Sequence, residues 1–330
     1  MEMEYVTVPG TDMQISRVGL GTWAIGGWMW GGTDKRESIN TIHRAVEMGI
    51  TLIDTAPVYG FGKSEEIVGK ALKGLDRDKV IVATKVGLEW KENKVFRNST
   101  GERIRLEVED SLRRLDVDVI DLYQVHWPDP LVAREETAEQ MQRLVEEGKI
   151  RAVGVSNYSP EEMASFSREA RLSTAQPPYN LFERGIEADV LPWCQENGVA
   201  LLTYGALCRG LLSGRMRPDT EFAGDDLRKW DPKFKQPRFE QYLEAVTRLN
   251  SLARERYGKT VMALAVRWIL DRGVEIALWG GRHPGQLDAV EEAFGWSLTE
   301  EDMAVIDTIL SETVTDPVGP EFMAPPTRKK

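Results

Sequence analysis

Short apolar runs and helix-patterned segments take turns along most of this chain, and that alternation constrains the fold more than any other feature. The apolar runs fall at 18–20, 51–53, 80–83, 119–125, 152–155, 173–175, 199–202 and 276–278. Among them, segments at 34–48, 64–72, 101–115, 134–146, 159–170 and 262–270 carry the apolar spacing of helices. Strand–helix units with short links imply right-handed crossovers and a parallel sheet. Eight such strands in one chain suit closure better than an open sheet, so the expected fold is an α/β, (β/α)8 TIM barrel. Pro9–Gly10–Thr11–Asp12, a turn signal between apolar runs at 6–8 and 15–18, predicts a small N-terminal hairpin. No Pro/Gly/Ser-rich linker divides the 330 residues, which are expected to form a single barrel domain with a tail over 312–330.

Two insertions interrupt the rhythm. The first, 87–100, is a polar loop after the third strand; the second, 215–239, is rich in charge, proline and aromatics and precedes an extra helix near 241–256. Both leave C-terminal ends of strands, which in barrels is the catalytic face. A last helix is expected at 300–310, and the proline-rich tail beyond it reads either as an ordered arm near the site or as a disordered segment.

Three strand ends carry the chemistry. Asp54 ends the second barrel strand and Tyr59 follows in its loop; Lys85 ends the third strand and His126 the fourth. An amine at the end of an apolar strand has to be paired or neutralised, because an isolated buried charge is costly. A phenol is a poor acid near neutrality, with an ordinary pKa of ~10. A lysine beside it favours the phenolate and lowers that value, while Asp54 would keep the lysine charged and positioned. A phenol so tuned can give a proton to a carbonyl oxygen or take one from an alcohol, and His126 could orient the same oxygen. That supplies the proton half of a carbonyl reduction, and the hydride has to come from a cofactor. No water-activating metal cluster and no Gly–x–Ser–x–Gly elbow appears. The string GLGTWA matches a dinucleotide fingerprint at Gly19, Gly21 and Ala24, but a loop composition follows where a helix should begin, so the match is rejected.

Composition narrows the partners. A net charge of -11 argues against nucleic acid and anionic membrane, while leaving room for a local basic pocket. No run reaches membrane-span length, and the start has neither a basic nor an apolar signal region. Cys194 and Cys208 have no metal or disulfide spacing, so they are expected to be reduced thiols in a cytoplasmic protein.

With GLGTW, IDTAPVYGFGKSE, ATKVG, DLYQVHWPD, GVSN, QPPYN, YGALCRGLLSGR and GGRHPGQLD, the chain resembles the aldo-keto reductases, nearest to the bacterial general-stress type. The resemblance runs from about residue 6 to the helix at 300–310. It implies a catalytic tetrad of Asp54, Tyr59, Lys85 and His126 with Tyr59 as general acid. It also implies nicotinamide carboxamide contacts at Ser156, Asn157 and Gln176, and a ring-stacking aromatic at Tyr204. A pyrophosphate loop would follow at Gly205, Ala206, Leu207, Arg209 and Gly210, with Thr22 and Trp23 of the GLGTW motif beside the cofactor. The adenosine end would lie at Gly280, Arg282, His283, Gln286 and Asp288. Relatives often carry Ser–Pro after the stacking aromatic, where this chain has Gly205–Ala206. Four residues beyond the adenine-side glutamine, where a polar residue is frequent, stands Val290.

The expected activity is NAD(P)H-dependent reduction of an aldehyde or ketone, reversible, with a small-molecule carbonyl or alcohol as substrate. Trp23, Trp90, Trp127 and Trp230 would wall its pocket, core packing being the other reading of each. Arg282 offers a planar fork suited to a 2′-phosphate, which favours NADP(H) and leaves NAD(H) possible. His283 beside it would add charge only at low pH. Two rivals remain: a nucleotide-sensing module like the potassium-channel β-subunits, with slow turnover, and a barrel hydrolase using Asp54 with another carboxylate. Oligomeric state and the physiological carbonyl are not legible.

Overall fold

The computed structural model describes residues 3–328. Strands β1 (Tyr5–Thr7) and β2 (Gln14–Ser16) pair antiparallel as the expected hairpin. The chain then runs β3 (Val18–Gly21), α1 (Trp23–Gly26), α2 (Lys35–Glu47), β4 (Leu52–Asp54) and α3 (Lys63–Leu72). Next come β5 (Ile81–Val86), the hairpin β6 (Leu88–Lys91) and β7 (Lys94–Arg97), α4 (Gly101–Leu115) and β8 (Ile120–Val125). After α5 (Arg134–Glu146), β9 (Ile150–Ser156), α6 (Pro160–Phe166) and β10 (Leu172–Gln176) come α7 (Val190–Asn197) and β11 (Ala200–Thr203). The remainder is α8 (Arg238–Tyr257), α9 (Val261–Asp271), β12 (Ile276–Gly280) and α10 (Glu300–Thr313). Eight strands, β3–β4–β5–β8–β9–β10–β11–β12, close into a parallel barrel as β12 pairs with β3.

Two apolar layers hold it. The larger lies between strands and helices, where Val18, Ile53, Val82, Val153 and Leu201 face Ile42, Val68, Val108, Met141 and Leu264. The smaller fills the barrel's N-terminal end: Val8, Met13 and Ile15 from the hairpin pack with Leu52, Ile81, Leu122, Leu202 and Ile276. The hairpin is therefore a plug, and burying its three apolar side chains is what keeps it there.

Helix starts follow local capping rules. Asp34, Thr100, Ser159, Thr260 and Thr299 each accept a backbone N–H of the first turn, and Ser159 forms a full capping box with Glu162. The helix expected over 159–170 ends at Phe166, and the rejected GLGTWA stretch holds one short helix, α1, before its glycine loop. The insertion at 87–100 is no plain loop but contains β6 and β7; the one at 215–239 carries two 3-10 turns, Leu227–Lys229 and Pro232–Phe234.

The tail is an ordered arm through its described part. Arg97 of β7 donates through its backbone N–H to Pro326 O at 3.0 Å and through Nε to Pro325 O at 2.9 Å. Arg328 pairs with Asp129, and Lys233 Nζ donates to Gly319 O at 3.1 Å. Among the described residues no helix is long and apolar enough to cross a membrane.

Candidate active site

Asp54, Lys85 and Tyr59 form one hydrogen-bonded group at the C-terminal end of the barrel. Lys85 Nζ donates to Asp54 Oδ1 at 2.6 Å, to Thr55 O at 3.0 Å and to the Tyr59 hydroxyl at 3.4 Å. An ammonium has three protons, and here each has an acceptor, so the fully buried lysine leaves no donor unmet. The Tyr59 ring stacks on Trp23 with centroids 5.9 Å apart, and the His126 ring meets its edge at 5.8 Å and 82°. All four residues inferred from strand ends are thus together.

The Tyr59 loop is held by close backbone approach. A Cβ on Gly26, which ends α1, would lie 2.5 Å from Tyr59 C, and one on Gly60 would collide with the Gly26 carbonyl. Gly60 has φ +68°, a conformation glycine adopts without steric cost. Behind Lys85, buried Glu65 accepts from Thr84 Oγ1 and Arg114 Nε, both at 2.6 Å.

Burial dominates the electrostatics. The Tyr59 phenol is raised well above its ordinary value, first by burial and then by the Asp54 charge. Lys85 is lowered by burial, against the opposing pull of Asp54 and Glu65. His126 is well below its ordinary value, again by burial first and the Lys85 charge second. The expected lowering of the phenol by Lys85 is therefore reversed. Asp54 sits 2.6 Å from the ammonium and offsets it, so the phenol faces a compensated pair from inside a desolvated pocket.

Two cavities meet at Tyr59. One, of about 400 Å³, is lined by Trp23, Trp28, Met29, Val58, Leu88, Val95, His126, Trp127, Leu227 and Trp230, with Phe322, Met323, Pro325 and Pro326 from the tail. Ser156, Asn157, Gln176 and Tyr204 also border it. Three of the four expected pocket tryptophans are there. Trp90 is not: it packs against Phe61 at 5.6 Å and under the Arg103 guanidinium at 5.7 Å.

The other cavity is a groove of about 480 Å³ running past Thr22, Trp23, Tyr204, Gly205, Ala206, Leu207, Arg209 and Gly210 to Gly280, Arg282 and Gln286. His283 and Asp288 are absent from its lining; His283 Nδ1 faces Glu37 Oε2 at 3.6 Å instead. Arg209 lines the groove, but its guanidinium is committed to Glu183 and Asp231, each at 2.6 Å. Arg282 Nη1 donates to Trp30 O and Gly32 O at 2.7 and 2.6 Å, tying β12 to the glycine loop. Thr22 Oγ1 donates to Asp54 O at 2.9 Å and is fully buried, so it braces the carboxylate's strand.

This groove suits a dinucleotide. Of the four arginines that line it, Arg209 and Arg228 are paired with acids (Glu183 and Asp231, and Asp226), while Arg215 and Arg282 make no salt bridge among the described residues and are the cations open to an anion. Trp30 also borders it, and its buried Nε1 has no hydrogen-bond partner among the described residues. The Tyr204 hydroxyl donates to Asn157 Oδ1 at 3.0 Å, and Asn157 Nδ2 reaches Ser156 Oγ and His126 O, both at 3.0 Å. Those contacts fix the side chains where groove and pocket join.

Sequence reasoning missed Gln124, whose Nε2 donates to Asp54 Oδ2 at 3.1 Å. Its signal was present: a glutamine near the end of a buried strand, two residues before His126, has to be hydrogen-bonded. The tail residues and Leu227 gave no comparable signal, because their place depends on long-range packing.

The chain belongs to the Aldo/keto reductase family, which it matches over residues 17–311, and it is an oxidoreductase of that family. The aldo-keto reductase YhdN of Bacillus subtilis (strain 168) is 61% identical over 99% of this chain and 100% of its own length. The NADH-specific methylglyoxal reductase of Escherichia coli (strain K12) is 36% identical, covering 92% of this chain and 97% of that protein. Among solved structures, the glycerol dehydrogenase of Gluconobacter oxydans superposes with a TM-score of 0.89 at 56% identity, over 98% and 100% of the two chains. An aldo-keto reductase of Klebsiella pneumoniae in complex with NADPH gives 0.72 at 29%, over 94% and 95%.

Proposed function

We propose that this protein reversibly reduces aldehydes or ketones to alcohols, with Tyr59 as the proton donor. The observation that carries the reading is the Tyr59 hydroxyl 3.4 Å from Lys85 Nζ, at the junction of a basic groove and an apolar pocket. A nicotinamide dinucleotide in the groove would supply the hydride. The residues do the rest. Tyr204, Asn157, Ser156 and Gln176 border the reacting end, and the tryptophan-walled pocket excludes water from the carbonyl. Neutral His126 can donate one hydrogen bond to the carbonyl oxygen, and Tyr59, kept protonated by its raised pKa, delivers the proton. Lys85 then stabilises the phenolate until it is reprotonated.

NADP(H) is the favoured partner because Arg282, Arg215 and Arg228 border the groove; NAD(H) stays open, since a relative is NADH-specific. The hydrolase reading loses support because Asp54's side-chain partners are an amine and two amides, not a second carboxylate. The sensing reading is weaker because the relatives carry names of reductases and a dehydrogenase. Replacing Tyr59 with Phe keeps the stacking ring and removes the hydroxyl. Turnover of a test aldehyde should fall by roughly 10²–10⁴ with the cofactor dissociation constant nearly unchanged. Full turnover in that variant would end the proposal.

A further inference from the structure

Asp54 is held from two sides. Its Oδ1 takes the Lys85 ammonium, and its Oδ2 accepts from Gln124 Nε2 at 3.1 Å and Gln176 Nε2 at 2.9 Å. The two amides are also joined to each other, Gln176 Nε2 donating to Gln124 Oε1 at 3.1 Å. Gln124 is fully buried and lines neither cavity. Gln176 does border the pocket at the reacting end.

The strands are built to place this amide. Gln124 of β8 stands in register with Lys85 of β5 on one side and with Gly154 of β9 on the other. A Cβ on Gly154 would lie 2.8 Å from Gln124 Cγ and would also collide with Thr174 Oγ1. The glycine leaves the volume that lets the side chain cross β9 to reach Gln176.

We propose that Gln124 is a positioning residue for the reaction, linking the carboxylate that holds Lys85 to the amide at the cofactor end. One glutamine thereby sets two things: the rotamer and charge of Asp54, through its N–H, and the orientation of Gln176, through its carbonyl. With Gln124 in place, Gln176 spends its amide nitrogen inward and keeps its own carbonyl oxygen for a ligand N–H. The inference rests on the reading of Tyr59 as proton donor.

The test uses Gln124→Leu and Gln124→Glu in the full-length protein, with Tyr59→Phe alongside. The readouts are kcat against pH for both directions and the cofactor dissociation constant by titration without substrate. Gln124→Leu removes a donor to Asp54 and the acceptor of Gln176, so kcat should fall about tenfold and cofactor binding weaken several-fold. Gln124→Glu is nearly isosteric. Protonated, its carboxyl can donate to Asp54 and accept from Gln176, restoring activity at acid pH; ionised, it repels Asp54. The charged or titratable groups facing this position are Asp54 and Lys85 from β4 and β5, Tyr59 and His126 from the loops, and Glu65 behind the lysine. Gly154, Thr174 and Gln176 on β9 and β10 bring no charge. Gln124→Glu should therefore show a new alkaline loss of kcat and of cofactor affinity that neither the native protein nor Gln124→Leu shows. Native kcat and cofactor affinity in Gln124→Leu, or no new limb in Gln124→Glu, would overturn the proposal even if melting temperature dropped. Tyr59→Phe separates the two claims: if it keeps full turnover, the reading of the site has failed, whatever Gln124 does.

Discussion

At the scale of single residues, the site runs on burial more than on charge pairing. Tyr59 is raised above its ordinary pKa, so the phenol is protonated through neutrality and well into the alkaline range. His126 is lowered, so its ring stays neutral as pH falls below its ordinary value. The signs give opposite profiles for the two directions. Reduction, which needs the acid, should show neither a limb near pH ~6.5 from His126 nor one below ~10 from Tyr59. Alcohol oxidation needs the phenolate and should climb continuously with pH. In Lys85→Met the phenolate loses its nearest cation, and oxidation at pH 9 should drop at least ~10-fold. Single-turnover rates in both directions check this, and an oxidation plateau near neutrality would contradict it. The grouping of Asp54, Tyr59, Lys85 and His126 was legible because each is a polar residue at the end of a barrel strand or in the loop after it. The direction of the tyrosine shift was not, because it depends first on how completely the phenol is buried and then on the nearby Asp54 charge, and both are set by long-range packing.

At the scale of elements, glycines do much of the positioning. The α1 helix and the Tyr59 loop approach so closely that Gly26 and Gly60 touch through their backbones. Gly26→Ala would drive a methyl group into Tyr59's carbonyl, and the loop rather than the barrel is the softer side. Overpacking of this kind costs about 1–3 kcal/mol, and here it should appear as a displaced phenol. We expect kcat to fall at least ~10-fold, the scale of a 1.4 kcal/mol loss, with cofactor binding less affected. Unaltered kcat in a stably folded Gly26→Ala would show that the approach is incidental. The eight barrel strands and the N-terminal hairpin were readable from periodicity and turn residues. The β6–β7 hairpin was not, because its two strands are only four residues each and its turn, Glu92–Asn93, takes positive φ without glycine. The position of the His283 side chain was not readable either: it follows Arg282 in sequence, and the fold sets it 3.6 Å from Glu37 on α2.

At the scale of the whole molecule, the tail completes what the barrel begins. Phe322 and Met323 border the pocket, Met323 also lines the groove, and Arg97, Arg328 and Lys233 tie the arm down. Removing the chain from 316 onward should leave the barrel folded, since the main core draws on earlier residues. The pocket would lose apolar wall: ~50 Å² of contact at ~25 cal/mol per Å² is about a tenfold rise in KM for an apolar carbonyl. Cofactor affinity should change less. Equal losses of KM and cofactor binding would mean that the arm supports the groove instead. Composition could place this tail near the site or leave it disordered, because its anchors lie on β7, on the loop after β8 and in the second insertion, all distant in sequence. That separation has a consequence for how the molecule is made. The last of the four proposed reaction residues, His126, leaves the ribosome long before Met323, so a nascent chain can carry those side chains without the tail's share of the pocket wall. On the proposed reading, changes at 322–326 should retune which carbonyl is accepted while leaving Asp54, Tyr59 and Lys85 as they are.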